Sequence, residues 1–175
     1  PRLYSFTEDM KELGLTPSST IVEFQISAAE PQDAKLLRLP DHDGNVFRLI
    51  RVRRADDTPI LLETTLIPHY LCPELLSANL QRDSLYRLLR EQYNLILHDA
   101  EETYEVGIVK VSEAKLLECR RNQPVFHIRR VANLSDGTPF ELTRAVGRGD
   151  HLQFSLRLVT NQAEFRRRVE VQREE

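Results

Sequence analysis

The chain has 175 residues, of which 41% are hydrophobic and 29% charged, so its composition is that of a globular protein with one well-packed core. Its formal charge of -3 argues against a general nucleic-acid-binding surface, which needs clustered Lys and Arg. No apolar run approaches the roughly 20 residues of a membrane span, and the first residues do not form a signal peptide. The only cysteines, Cys72 and Cys119, lie far apart, so we predict reduced thiols and a cytoplasmic location.

The N-terminal residues predict a short helix followed by a strand. Ser5 and Glu8 have the spacing of a capping box, and the helix that they open runs to Leu13 and ends at Gly14. Residues Ile21 to Ala29 alternate between apolar and polar side chains. This alternation is typical of a half-buried strand.

A unit consisting of a helix, a strand, a tight turn and a returning strand occurs twice in the sequence. The first copy comprises a helix over Gln32–Leu39 and strands over Val46–Ala55 and Ile60–Ile67. The second copy comprises a helix over Ser112–Cys119 and strands over Val125–Leu134 and Phe140–Val146. Such a duplication usually builds one joint sheet with a cleft where the halves meet, so we expect a functional site in that cleft.

The remaining segments connect and follow the two copies. Between the copies we predict helices over Glu74–Leu80 and Ser84–Tyr93 and a long strand over Leu95–Val111. After the second copy we predict an alternating strand that contains Leu152 and a polar C-terminal helix over residues 161–175. The predicted fold is therefore a single α+β domain, an antiparallel sheet with peripheral helices.

Two arginines of the first copy occupy unusual positions. Period-two counting places Arg51 and Arg53 on the same strand face as Phe47 and Leu49. The strand then lies either at a sheet edge, where arginines extend to solvent, or beside a cleft that requires positive charge. Both alternatives remain open from the alternation alone.

Glu63 and Ser84 also admit two interpretations each. Glu63 is the only charged residue in its strand, and a buried carboxylate must pair either with an arginine or with a ligand donor. Ser84 is first of all a good helix N-cap, but a hydroxyl beside the free N–H groups of a helix start can also form an anion site.

The motifs of common enzymes and metal sites are missing from the sequence. None of the five histidines has a partner at a metal-ligand spacing. The chain also lacks a phosphate loop, a dinucleotide fingerprint and a nucleophile elbow. We therefore predict no metal, no cofactor and no catalytic residues.

Several segments, in order and with comparable spacing, carry a resemblance to a known family. They are Ser5–Met10 with Gly14–Pro17, Leu49–Arg53, Pro59–Pro68, Ser84–Tyr86 and Pro139–Asp150. Together they resemble the UTRA domain, the effector-binding domain of the HutC branch of the GntR family of bacterial transcription regulators. The resemblance covers the chain from Ser5 to about Leu158 and implies a chorismate-lyase-like fold, a homodimer and a small-molecule pocket. It also implies that DNA is bound only through a separate N-terminal winged helix-turn-helix, which has no counterpart in this chain.

The resemblance further implies which positions contact the effector. In relatives that bind phosphorylated amino sugars, the phosphate is held at the positions that match Ser5, Phe6, Thr7, Arg51, Arg53, Ser84 and Tyr86. The sugar end is contacted at the positions that match Glu63, Glu141 and Gly147. Gly147 replaces an aromatic residue that is common in the family, so we expect a pocket that is enlarged at that end.

The functional hypothesis is an effector-binding and dimerisation domain for a small anionic metabolite, such as a phosphorylated sugar or amino sugar. The alternative is an enzyme on the same fold, a lyase acting on a small carboxylate such as chorismate. Arg51, Arg53 and Glu63 would suit either function. The broken symmetry of the repeat, with Ala132 in place of Arg53, indicates the first copy as the anion-binding side.

Overall fold

The computed structural model describes residues 6–75, 80, 84–159 and 162–169, and these form an antiparallel sheet with short helices and a separate hairpin. The helices are α1 (Phe6–Glu12), α2 (Pro31–Leu36), α3 (Leu85–Tyr93) and α4 (Val111–Leu116). The strands are β1 (Pro17–Ala28), β2 (Asn45–Ala55), β3 (Thr58–Pro68), β4 (Asp99–Ile108), β5 (Pro124–Asn133), β6 (Pro139–Arg148), β7 (Leu152–Val159) and β8 (Gln162–Val169).

The duplication seen in the sequence organises the main sheet. Its strand order is β1-β2-β3-β6-β5-β4, so three adjacent strands come from each half of the chain. All neighbours are antiparallel, and β3 pairs with β6 at the centre, where Thr64 lies opposite Arg144. The α+β antiparallel fold and the repeated helix-hairpin unit are thus confirmed.

The two faces of the sheet are covered by different elements. On one face, α3 packs on a cluster that includes Phe47, Leu49 and Phe140. On the same face, α1 and the β7–β8 hairpin contribute to a second cluster, which includes Met10 and Leu152. Helices α2 and α4 pack on the opposite face. Burial of apolar side chains on both faces stabilises the sheet.

Most predicted elements are present with small shifts at their ends. Asn94 ends α3 in the left-handed conformation, with φ of 54°. Because the chain then runs irregularly past the buried Leu95, β4 begins at Asp99 rather than at the predicted Leu95. The predicted helix over Glu74–Leu80 falls mainly on residues 76–79, which lie outside the described part.

The predicted C-terminal helix over residues 161–175 is wrong where the structure describes that segment. Residues Gln162–Val169 form β8, which pairs with β7 in an antiparallel hairpin. β7 has no place in the six-stranded sheet, so its backbone groups require another partner, and the next segment supplies it. The many charged residues of the segment suggested a solvated helix, but backbone pairing outweighs helix propensity here.

Candidate functional site

A polar cavity lies on the α1 and α3 face of the sheet, between the two apolar clusters of that face. Side chains from β2 to β6 form its floor, and residues of α1 and α3 form its walls. The lining residues are Phe6, Thr7, Arg51, Arg53, Leu61, Glu63, Thr65, Ser84, Leu85, Tyr86, Glu102, Ile128, Arg130, Glu141, Thr143 and Ala145.

Arg51 and Arg53 point into this cavity. Strand β2 lies between β1 and β3, so the sheet-edge interpretation of these arginines is wrong. Only 5% of Arg51 and 6% of Arg53 is exposed. The two guanidinium groups are therefore buried, because Arg51 and Arg53 lie on the same core-facing side of β2 as Phe47 and Leu49.

Glu63 joins the two arginines at one end of the cavity. Its Oε2 is 3.2 Å from Arg51 Nη2 and 3.9 Å from Arg53 Nη1. Arg53 also donates a hydrogen bond of 2.8 Å from Nη2 to the hydroxyl of Thr7, and its guanidinium lies 4.8 Å from the centre of the Phe6 ring. α1 is thereby connected directly to the arginine pair.

The arginine pair retains the capacity to bind an anion. The Nε atoms of Arg51 and Arg53 are buried and have no hydrogen-bond partner among the described residues. Burial lowers the pKa of Arg53 to about 10, with Glu63 opposing this effect and Arg51 adding to it. Arg53 is still charged at neutral pH. An anion that approached both groups would offset the cost of burying them.

The opposite end of the cavity is built by β4, β5 and β6 around Arg130. Its Nη1 lies 3.1 Å from Glu102 Oε1, and its guanidinium stands 5.5 Å from the centre of the Tyr86 ring. Burial lowers the pKa of Arg130, but Tyr86, Glu141 and Glu102 raise it more, so the net pKa is above the ordinary value. Arg130 remains a cation bordered by two carboxylates.

Tyr86 and Glu141 present polar atoms at this second end. Burial, and then the charge of Glu141, raise the pKa of Tyr86 well above its ordinary value, so the phenol stays neutral and can donate a hydrogen bond. Glu141 accepts a bond of 2.6 Å from the hydroxyl of Thr143. Its Oε2 is buried and makes no hydrogen bond of good geometry among the described residues, although the carboxylate lies near enough to the Tyr86 phenol to contribute to the raised pKa of Tyr86. Such an oxygen suits a hydroxyl or ammonium donor of a ligand.

Two threonines connect the ends across the central seam of the sheet. Thr65 of β3 and Thr143 of β6 lie opposite each other, and their hydroxyl oxygens are 2.9 Å apart. The cavity thus extends over both copies of the repeat. The first copy contributes two arginines and one glutamate, whereas Arg130, Glu102 and Glu141 at the second end comprise one arginine and two glutamates.

This distribution polarises the cavity. Its formal charge is positive at the end formed by Arg51, Arg53 and Glu63, which we call the positive end. Its formal charge is negative at the end formed by Arg130, Glu102 and Glu141, which we call the negative end. In a low-dielectric cavity, such an arrangement favours a ligand with an anion at one end and hydrogen-bond donors at the other.

The structure brings together eight of the ten residues predicted for the site, but Glu63 lies with Arg51 and Arg53 rather than at the sugar end, and Tyr86 lies by Arg130 and Glu141 rather than with the phosphate residues. Those that line the cavity are Phe6, Thr7, Arg51, Arg53, Glu63, Ser84, Tyr86 and Glu141. Ser84 is the N-cap of α3, and its side chain makes no capping hydrogen bond, so the simple capping interpretation of its hydroxyl is not supported. Ser5 lies outside the described residues. Gly147 is buried beside the cavity and is not among the lining residues.

Sequence reasoning missed Arg130, Glu102, Thr65 and Thr143. The repeat contained a signal for Arg130, because aligning the two strands places it at the position of Arg51. Glu102 carried no such signal, because it reaches the site only where the pairing of β4 with β5 places it opposite Arg130. Strand pairing between distant segments determines that register.

The expected enlargement of the pocket at Gly147 is wrong. A Cβ atom at this position would lie 2.3 Å from Cδ1 of Leu152 and 2.9 Å from Cδ2 of Leu61. These two buried leucines therefore occupy the space that an aromatic side chain would need. Gly147 permits close packing of β7 on the sheet and does not widen the cavity.

Substitution of Gly147 with tyrosine tests this packing. We expect it to destabilise the protein by about 1–3 kcal/mol, because an inserted side chain must displace Leu61 and Leu152. Combining it with Leu152→Ala should cost less than the sum of the two single changes, as measured by urea unfolding. Gly44→Tyr is the control, because no atom lies within 4 Å of a Cβ placed there. Additive costs for the pair would contradict this account.

Other types of site find no support in the described residues. No group of three or more His, Cys, Asp or Glu side chains in that part of the chain is placed to hold a metal ion. Both cysteines are free, Cys72 in the core and Cys119 partly exposed. No described helix is both long enough and apolar enough to cross a membrane.

The antiparallel fold is that of an effector domain, and comparison with known proteins identifies its family. The family model described as the UTRA domain matches residues 12–153, so this chain belongs to the UTRA domain family. That family comprises domains of transcriptional regulators rather than enzymes, which removes the lyase alternative.

Individual relatives agree with this assignment. The chain is 35% identical over 153 residues to the HTH-type transcriptional repressor NagR of Bacillus subtilis, covering 87% of this chain and 62% of the relative. It superposes on the effector domain of PhnF from Mycobacterium smegmatis with a TM-score of 0.79 at 28% identity, covering 86% of this chain and 91% of that domain.

A third relative supports the fold alone. The C-terminal domain of the histidine utilization repressor from Pseudomonas syringae pv. tomato has a TM-score of 0.72 at 22% identity, covering 82% of this chain and 99% of that domain. The chain spans about three fifths of the length of the known relatives that it matches.

Proposed function

We propose that this chain is the effector-binding domain of a homodimeric transcription repressor and that its effector is a phosphorylated sugar or amino sugar. The phosphate would bind at the positive end, between Arg51 and Arg53, and the sugar would extend toward the negative end. The observation that carries this proposal is the pair of buried guanidinium groups that share the single carboxylate of Glu63.

The geometry of the two ends supports this orientation. Arginine forks match the oxygens of phosphate, and Thr7 and Ser84 add hydroxyl groups beside them. At the negative end, Glu141 Oε2 can accept a bond from a sugar hydroxyl or amine, and Tyr86 can donate one. A ligand without the anion would leave the arginine Nε atoms unpaired, and a ligand without the donors would leave Glu141 Oε2 unpaired.

The proposed mechanism is a shift between two arrangements of the dimer. The effector would bind one arrangement better, which changes the position of the attached DNA-binding domains. The hydrogen bond between Arg53 and Thr7 provides a physical connection, because α1 is the first described element of the chain. A coupling of about 1–3 kcal/mol would change DNA affinity roughly 5- to 150-fold.

The test has two stages. A thermal-shift screen of sugar phosphates, amino-sugar phosphates, neutral sugars and carboxylates first identifies a ligand of the isolated domain. A ligand at a hundred times its Kd adds about 2.7 kcal/mol to the free energy of unfolding. The complete gene product is then titrated onto DNA from upstream of its own gene, with and without that ligand. An unchanged DNA affinity while the ligand occupies the cavity would refute the regulator proposal.

A further inference from the structure

A second groove opens from the cavity and runs between α1 and α3. Its volume is about 400 Å³, within the range of small-molecule sites. It shares Thr7, Ser84 and Tyr86 with the cavity, so the two spaces meet at these residues. Residues 95–97, which are Leu95, Ile96 and Leu97, line the groove with apolar side chains.

The charged residues of this groove are mostly cations. Lys11 of α1 and Arg87 and Arg90 of α3 line it, with Glu8 as the one carboxylate among the lining residues. Arg90 Nη2 also lies 3.8 Å from Glu91 Oε1, but both side chains are about 60% exposed. Such a surface ion pair contributes little to stability. The groove therefore favours negative charge, although the chain as a whole carries a formal charge of -3.

The groove meets the cavity along Thr7, Ser84 and Tyr86, and Thr7 is the shared residue that contacts the positive end. Thr7 accepts the hydrogen bond from Arg53, and Ser84, the N-cap of α3, lines both the cavity and the groove. A ligand whose anion pairs with Arg53 can therefore extend in two directions. One direction leads to Glu141 at the negative end, and the other leads past Thr7 into the groove.

We propose that the groove binds a second negative group of the ligand, on the far side of the phosphate held by Arg51 and Arg53, so that the preferred ligand class is a diphosphate ester. This inference rests on the proposed anion site. A monophosphate fills the positive end alone. A diphosphate places its second phosphoryl group near Lys11 and Arg90. The organic group attached to that phosphoryl group then lies over the apolar residues 95–97.

The experiment compares inorganic phosphate with pyrophosphate, and glucose 1-phosphate with UDP-glucose, by calorimetric titration of the domain. The double variant Lys11→Gln/Arg90→Gln removes two groove cations from exposed positions. We expect it to weaken pyrophosphate and UDP-glucose roughly three- to tenfold while leaving the two monophosphates unchanged. The matched control is Lys115→Gln/Arg121→Gln, which removes the same charge at exposed positions away from the groove.

The possible results separate the two proposals. A selective loss of diphosphate affinity in the groove variant, absent from the control, supports the inference. Equal losses for monophosphates and diphosphates, or equal losses in the control, would show only a general charge effect and overturn it. If the domain bound monophosphates, and the groove variant bound diphosphates as tightly as the unmodified protein, the proposed anion site would stand and the proposed role of the groove would be wrong. Failure of every phosphate compound to bind would overturn both.

Discussion

Replacement of Glu63 with alanine is expected to destabilise the protein by about 3–5 kcal/mol, because it leaves two buried arginines without their shared carboxylate. The same change is expected to make stability depend on anions. Sulfate or phosphate in the cavity would take the place of the lost carboxylate, so the melting temperature of Glu63→Ala should rise more steeply with added sulfate than that of the unmodified protein.

Glu23→Ala is the control variant, because it removes the carboxylate of an exposed ion pair on the same sheet. Glu23 pairs with Arg48 at 3.0 Å, but both side chains are more than a third exposed, so its loss should cost little and should create no anion dependence. Chloride at matched ionic strength controls for general salt effects. A sulfate response of equal size in both variants would show that the arginine pair is not an anion site.

Replacement of Arg53 with methionine is expected to weaken binding of an anionic effector roughly tenfold to a hundredfold. Hydrogen bonds to charged groups contribute about 1.5–3 kcal/mol each, and methionine retains the packing on Phe6 while removing the charge. Glu63 keeps its bond to Arg51, so the folded structure should survive. The measurement is the Kd of the effector by calorimetry.

A matched control lies on the same strand. Arg48 belongs to β2 as well, but it lies on the opposite face of the sheet and does not line the cavity. Arg48→Met should therefore leave the Kd within about twofold. If Arg53→Met bound the effector as tightly as the unmodified protein, the anion would have to bind elsewhere, and the orientation proposed for the ligand would be wrong.

The order of helices and strands was predictable from local patterns, but the way in which the strands meet was not. Apolar alternation defined the face shared by Phe47, Leu49, Arg51 and Arg53, and the capping spacing near Glu8 defined α1. Whether β2 lay at an edge depended on the pairing of β1 with it, which alternation does not encode. The C-terminal strand was mistaken for a helix for the same reason, because its partner determines its conformation.

The charged residues of the positive end were predictable, whereas at the negative end only Tyr86 and Glu141 were. Family resemblance and strand periodicity together indicated Arg51, Arg53 and Glu63. Arg130 could have been found by aligning it with Arg51, whereas Glu102 joins the site only through the pairing of β4 with β5, which places it opposite Arg130. The role of Gly147 depends on its contact with Leu152, which follows a chain reversal, and the distance between the two cannot be read from the sequence.

The central pairing of β3 with β6 has a consequence for how specificity can change in this family. Arg51, Arg53 and Glu63 of the positive end lie in the first copy, Arg130 and Glu141 of the negative end lie in the second, and the two copies meet along that pairing. With the proposed ligand orientation, we expect substitutions in the first copy to alter the preference for the anion and those in the second to alter the preference for the head group. We therefore expect a substitution in one copy to leave the contacts of the other copy with the ligand in place, so that partial binding is preserved.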